Sequence, residues 1–336
     1  MTRRNTPLQI KLTPLSNSKV KASMTNMGSE GFNLFYTGSF LDSEAPIDRL
    51  IVHGTATRAR FMGLLVQVSM KDPIETQFLP ILPGQTIDTI IDMAELYDME
   101  VSDRYTIQAR GSLPFAELGS TRLTGLSLPY ASNVISMDVD GAEAAKVPYA
   151  VLNLRQKRAE LECSSERNAI LKQARESCAM LAGNAAKAAQ SGRLMQEYFK
   201  STSDSVVSQV VQRFNAVAEE CASNSAPSKS SVSCTDVNEL CSKPGYIAYT
   251  NPSSNVITYC DIFYEGLGAL TGQCGVQDQA NTVVHETTHC PDVFSPYTLD
   301  YAYGPAVTNL NSDQAVLNAD TYRMYAGAIF GNCSDS

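Results

Sequence analysis

His285 and His289 stand four residues apart around Glu286 in the stretch HETTH. On a helix, positions i and i+4 project from one face, so two imidazoles at this spacing can close on a single ion, with zinc–nitrogen bonds of about 2.0 to 2.1 Å. Glu286 lies one step round, near such an ion without binding it. A carboxylate there can take a proton from a water molecule as it attacks a polarised peptide carbonyl. A catalytic zinc site needs a third protein ligand. The chain has only three histidines, and the remaining one, His53, belongs to the strand-like run LIVHGTA far upstream. The third donor must be of another type. Asp300, eleven residues beyond His289 (300 minus 289), follows a helix stop at Pro291 and a loop, which lets the chain turn back beneath the metal. Asp292 is nearer but sits at the helix end and ranks second.

The elements that must carry these side chains are legible around them. The histidines fall on a helix expected over about 277–290. Before it, GYIAYTNPSSNVITYCDIFY places two β-rich runs either side of NPSSN and reads as a hairpin. Earlier still, the Ala-rich SSERNAILKQARESCAMLAGNAAKAAQSG has a serine cap at Ser164 or Ser165. SDSVVSQVVQRFNAVAEECAS repeats apolar residues at helical spacing through Val206, Val210, Phe214 and Val217. SDQAVLNADTYRMYAGAIFG supplies a last helix.

The first half has a different texture. Residues 7 to 140 run as short alternating segments (LQIKLTPL, KVKASMTN, FNLFYTGSF, RLIVHGTAT, LLVQVSM, IDTIIDM, RYTIQARG, NVISMDVD) separated by turn clusters. About eight strands at this spacing predict an antiparallel β-sandwich. MAELYDME is expected to be a short helix within it. The fold class is therefore α+β, with a β-sandwich followed by a mainly helical domain holding a small hairpin.

Two compositional breaks mark the same joint. All nine cysteines, at 163, 178, 221, 234, 241, 260, 274, 290 and 333, lie in the second half. Without a C-x-x-C pair they read as a disulfide framework, hence an oxidising, extracellular compartment. An odd count leaves at least one thiol outside an internal pairing. Residues 1–158 carry 16 acidic and 16 basic side chains, whereas 159–336 carry 19 and 10, so the net charge of -9 belongs to the second half. Such a surface repels nucleic acid and attracts cationic partners. Between the two halves stand Lys157 and Arg158, a dibasic pair of the kind processing proteases cut in exposed linkers. The expected domains are 1–158 and 159–336. No run of about 18 apolar residues spans a membrane. The start, MTRRNTPLQIKLTPLS, has no apolar h-region, so a secretory leader is expected to be missing from this form of the chain.

HETTH followed by TLDYAYG resembles the paired signature of the deuterolysins, fungal secreted zinc endopeptidases of the aspzincin group. Their second motif has the form G-T-x-D-x-x-Y-G, and Tyr297 to Gly304 fit it at every position but the first. If the glycine that Tyr297 replaces has φ > 0, a tyrosine there costs on the order of 1 kcal/mol. AAKAAQSGRLMQEYFKSTS, RFNAVAEE, CDIFYEGLGALTGQCGVQDQA and LNADTYRMYAGAI look like deuterolysin segments too, and the N-terminal half is similar to the family's pro-region.

The resemblance implies a secreted zymogen. A folding-assisting, inhibitory pro-domain (1–158) would precede a zincin-like catalytic domain (159–336), released by cleavage after Lys157–Arg158. It implies one zinc ion held by His285, His289 and Asp300, Glu286 as general base, and Tyr303 lining the site as an oxyanion donor. Substrates would be proteins and peptides, favouring basic ones. It also implies bridges Cys163–Cys234, Cys241–Cys260 and Cys274–Cys333. Cys178, Cys221 and Cys290 lie outside that scheme, with packing or a fourth bridge expected of Cys290. The competing reading is a secreted zinc-binding pseudoenzyme or surface-interaction protein, favoured only by Tyr297.

Overall fold

The computed structural model describes residues 6–151, 163–223 and 228–333. Lys157 and Arg158, and the domain boundary expected there, lie outside the described residues. The chain divides into two compact units, one of 1–64 with 70–154 and the other of 65–69 with 155–336.

The strands of the first half, in chain order, are β1 (Leu8–Ser16), β2 (Lys19–Asn26), β3 (Phe32–Phe35), β4 (Ile51–His53), β5 (Leu65–Val68), β6 (Phe78–Ile81), β7 (Thr86–Asp92), β8 (Asp103–Gln108), β9 (Arg110–Ala116), β10 (Leu123–Ala131) and β11 (Ile135–Val139). All but β5 belong to the first unit, in three sheets ordered β1-β2-β7, β10-β9-β3-β6 and β11-β8-β4. Every ladder among them is antiparallel. Alternation drives burial: Leu8, Ile10 and Leu12 of β1 and Val20, Ala22 and Met24 of β2 are buried, with Lys11 and Lys19 left in solvent. MAELYDME gives only a single 3-10 turn, Met93–Glu95, capped by Asp92. A four-residue helix α1 (Gly141–Ala144) closes the unit. His53 ends β4, a strand residue of this half as expected, and is exposed.

The second unit contains helices α2 (Ser165–Gln190), α3 (Met195–Tyr198), α4 (Asp204–Ala222), α5 (Gln279–Thr288), α6 (Ser312–Ala315) and α7 (Ala319–Phe330), with strands β12 (Ser231–Ser233), β13 (Tyr246–Asn251) and β14 (Val256–Tyr259). Its apolar core runs along α2, α4, α5 and α7. There the rings of Phe199, Phe214, Tyr322 and Tyr325 meet with centroids 5.1 to 5.7 Å apart. Its sheet has the order β12-β14-β13-β5. The expected hairpin is β13–β14. The expected sandwich strand LLVQVSM instead supplies β5, paired antiparallel with β13. All four residues of β5 are buried, unlike the half-wetted β1.

Four disulfides staple this unit: Cys163–Cys234, Cys241–Cys260, Cys274–Cys333 and, between α2 and α4, Cys178–Cys221. Cys290 stays a free, buried thiol whose pKa burial pushes well up.

Candidate metal centre

Helix α5 is capped at its start by Asp278 and Asn281 in a reciprocal box. All ten of its residues are buried, and its threonines answer their own backbone. Thr282 Oγ1 donates to Asp278 O at 2.8 Å, Thr287 Oγ1 to Val283 O at 2.7 Å and Thr288 Oγ1 to His285 O at 2.7 Å. That leaves His285 and Glu286 as the helix's chemically available groups, with His289 at its C-cap.

Beyond Pro291 the chain returns on a scaffold of named bonds. Thr298 N–H donates to Thr288 O at 3.1 Å, and the two threonine hydroxyls meet at 2.7 Å. Asn318 Oδ1 accepts from the backbone N–H of Tyr301 (2.7 Å) and Ala302 (3.0 Å). Leu299 makes a bridge with Asn318. Buried Arg213 donates to Pro296 O at 2.7 Å, its guanidinium stacked between the rings of Phe294 and Tyr322. Asp300 is thereby held facing the histidines. Asp292, the second-ranked carboxylate, is exposed and outside the group.

His285 Nε2 lies 3.2 Å from His289 Nε2 and 3.3 Å from Asp300 Oδ1, and His289 Nε2 lies 3.4 Å from Asp300 Oδ2. Donors placed tetrahedrally at about 2.0 to 2.1 Å from one ion stand about 3.3 Å apart. The outer ring atoms explain why the inner ones point there. His289 Nδ1 donates to Thr298 O at 2.9 Å, and since a carbonyl can only accept, its Nε2 carries a lone pair inward. His285 Nδ1 faces Asp320 Oδ1 at 3.3 Å.

The electrostatics call for a cation. Burial opposes charge on His285, but Asp300 and Asp320 outweigh it and raise its pKa to about 10. Burial alone would raise Asp300, yet the imidazoles of His289 and His285 hold it well below the usual carboxylate range. Asp320 is likewise held low, against burial, by Arg323. Buried Asp300 Oδ1 has no hydrogen-bond partner. An imidazole nitrogen from each histidine and an oxygen of Asp300, 3.2 to 3.4 Å from one another, are the donor set of a zinc ion, so the residues fit that metal.

Glu286 is also fully buried. Thr250 Oγ1 of β13 donates to its Oε2 at 2.6 Å, while Oε1 is without a partner. Burial raises its pKa. Tyr303, with its ring stacked on His285 at an interplanar angle of 18°, donates its hydroxyl to Val66 O of β5 at 2.8 Å. Tyr297 is not among the residues with positive φ, so the backbone cost considered for it does not arise. The left-handed position is Gly304, φ 55°, whose N–H donates to Asp320 Oδ2 at 2.5 Å.

Sequence reasoning assigned no role to Asp320, Asn318, Thr250 or Thr298. Thr298 stood in the second motif and Asn318 and Asp320 in LNADTYRMYAGAI, but what each holds is set by contacts that spacing does not reveal.

The Deuterolysin metalloprotease (M35) family model matches residues 1–333. The chain belongs to this family. A "Neutral protease 2 homolog" of Phaeosphaeria nodorum is 40% identical over 334 residues, covering 98% of this chain and 93% of the relative. One of Aspergillus terreus is 40% identical over 329 residues, covering 97% and 92%. The deuterolysin likeness of HETTH and TLDYAYG is thus matched along the whole chain, which is a metalloendopeptidase with zinc as its cofactor. A solved structure titled "Zinc peptidase from Grifola frondosa" covers 49% of this chain and 97% of its own length at 24% identity, with a TM-score of 0.40. Among the described residues of this deuterolysin-family chain no helix is long and apolar enough to cross a membrane, and its four disulfides fit an extracellular protein.

Proposed function

We propose that this family member is a secreted zymogen in which His285, His289 and Asp300 hold the zinc, Glu286 is general base and then proton donor, and Tyr303 donates to the carbonyl oxygen of the peptide being cut. The observation that carries the reading is the convergence of three donor atoms at 3.2 to 3.4 Å from one another in a buried site. Zinc, when bound, supplies Lewis acidity that polarises the peptide carbonyl and eases ionisation of water.

The chain's own groups do the rest. Asp320 and the Thr298 carbonyl orient the two imidazoles. Thr250 fixes one oxygen of Glu286 and leaves the other to move a proton. The raised pKa of Glu286 matches a group that must both accept and return that proton. A hydrogen bond from the Tyr303 hydroxyl to a peptide carbonyl oxygen is already made with Val66, the contact an oxyanion donor needs.

On this reading residues 1–158 are an antiparallel β-sandwich pro-domain that assists folding and keeps the enzyme latent, and 159–336 are a zincin-like catalytic domain. A processing protease cutting after Lys157–Arg158 separates them. Basic proteins are favoured because the net -9 of residues 159–336 concentrates cations near the site. The test is Glu286→Gln. Zinc content should stay at one per chain while casein hydrolysis falls about 10²- to 10⁴-fold; hydrolysis at the wild-type rate would reject the assignment.

A further inference from the structure

Among the described residues, Leu65–Ser69 is the one segment of the first half that clusters with the second unit. Its backbone engages the candidate machinery directly. Val66 N–H donates to Asp300 Oδ2 at 2.9 Å and Val66 O accepts from the Tyr303 hydroxyl at 2.8 Å, so both backbone groups of one residue are held by candidate site residues. Gln277 Nε2 donates to Val68 O at 3.0 Å, and Ser69 N–H to Gly245 O at 2.7 Å. On its other edge the strand pairs antiparallel with β13, with Leu65 opposite Thr250, Val66 opposite Tyr249 and Gln67 opposite Ala248. An extended chain gripped on both edges is how a peptide binds when it adds a strand to a sheet.

The side chain of Gln67 is the anomaly. It is completely buried, and neither its Oε1 nor its Nε2 has a hydrogen-bond partner. Opposed residues of an antiparallel pair share a face, and so do residues two apart on one strand. Gln67 therefore lies on the face of Ala248 and Thr250, the face from which Thr250 reaches Glu286. Glu286 Oε1 and Asp300 Oδ1 are also buried and partnerless. Native interiors rarely leave so many polar atoms unmet in one place, and a bound ion is one of the standard explanations.

We propose that Leu65–Val68 occupies the place of the peptide substrate and that Gln67 blocks the site, its amide oxygen taking the zinc position that catalysis needs open and its amide N–H turning to Glu286. A side-chain amide can fill that position while presenting no main-chain bond for hydrolysis. Latency is then local and chemical: a pseudo-substrate strand with a glutamine plug. The inference rests on the zinc ligands assigned above.

Cobalt in place of zinc in the full 336-residue chain tests it, with azide as the probe and the visible spectrum as the readout. The wild-type chain should show no spectral step near about pH 7, where water on such a metal ionises. Gln67→Met, close in volume, should show that step. Azide should bind the wild type about 100-fold more weakly than Gln67→Met, the factor expected when the position is free in about one per cent of molecules. Gln67→Glu, which keeps an oxygen, should resist azide like the wild type. Wild-type cobalt protein that titrates and binds azide as readily as an open site overturns the plug, and does so even if Gln67→Met fails to fold. A cut after Val66 in the metal-loaded chain overturns it too, since the strand would then be a substrate. Failure to take up one cobalt per chain overturns the zinc assignment itself, and this inference with it.

Discussion

Thr250 Oγ1 stands 2.6 Å from Glu286 Oε2 and donates to it, tying the central strand β13 to the helix that carries His285 and ends at His289. The hydroxyl stabilises the ionised carboxylate, whose pKa burial otherwise raises and the neighbouring imidazoles lower. As the proposed base, Glu286 must be ionised to accept a proton. Thr250→Val removes a stabiliser of the charged form, so the pKa of Glu286 rises further and the acidic limb of kcat/KM moves to higher pH. The loss in the processed enzyme should be about tenfold and greatest at acidic pH, the alkaline limb staying put. A uniform loss across pH would mean Thr250 acts by packing alone.

Asp320 is the residue whose effect should reach furthest from its size. It faces His285 Nδ1 at 3.3 Å, accepts from Gly304 N–H at 2.5 Å and pairs with buried Arg323. Asp320→Asn keeps the shape and removes the charge. Zinc affinity should fall about 10- to 100-fold, as for other groups that orient metal ligands. Leaving Arg323 as an uncompensated buried cation should cost about 3 to 5 kcal/mol of stability. Metal-buffer titration and thermal unfolding measure the two effects separately.

The cysteine pattern was readable in part. The three bridges implied by the deuterolysin likeness are present, and the fourth, Cys178–Cys221, joins two positions 43 residues apart on neighbouring helices. Neither position carries a spacing signal, because the pairing is set by how α2 packs on α4. Replacing both with alanine should cost about 2 to 4 kcal/mol, read as a lower denaturant midpoint. Cys290 should react with a thiol reagent only after unfolding, giving one thiol per chain in denaturant and none in the native protein.

The proposed preference for basic proteins has a direct test. Protamine-like substrates should be cut faster than neutral ones of equal length at low salt, and the advantage should shrink as ionic strength rises toward about 1 M. Equal rates at low salt would remove the electrostatic rationale.

What the sequence revealed, and what it hid, follows physical lines. HETTH and Asp300 were legible because a helix fixes the relation of i to i+4 and a proline stop forces a return. The α5 and hairpin positions followed from caps, period and turn residues. Strands β6, β9 and β10 were hidden by Pro80, Pro114 and Pro129, each lying within a strand and each a residue that argues against a ladder position. The segment LLVQVSM was legible as a strand, yet nothing in its local pattern says which sheet it joins. Its partner β13 begins at Tyr246, 178 residues beyond Val68 (246 minus 68), about half the chain away. Asn318 and Thr298 hold the Asp300 loop through contacts made only once the chain has folded, so their presence in family-like segments did not say what they hold.

The central claim is that a carboxylate from the loop beyond α5 completes the zinc site. Zinc stoichiometry and affinity of the full chain, measured beside Asp300→Ala, test it most directly. One zinc per chain in the wild type and an affinity lowered about 100-fold or more in the variant are the predicted results, a loss worth about 2.7 kcal/mol. Undiminished binding by Asp300→Ala would contradict the account.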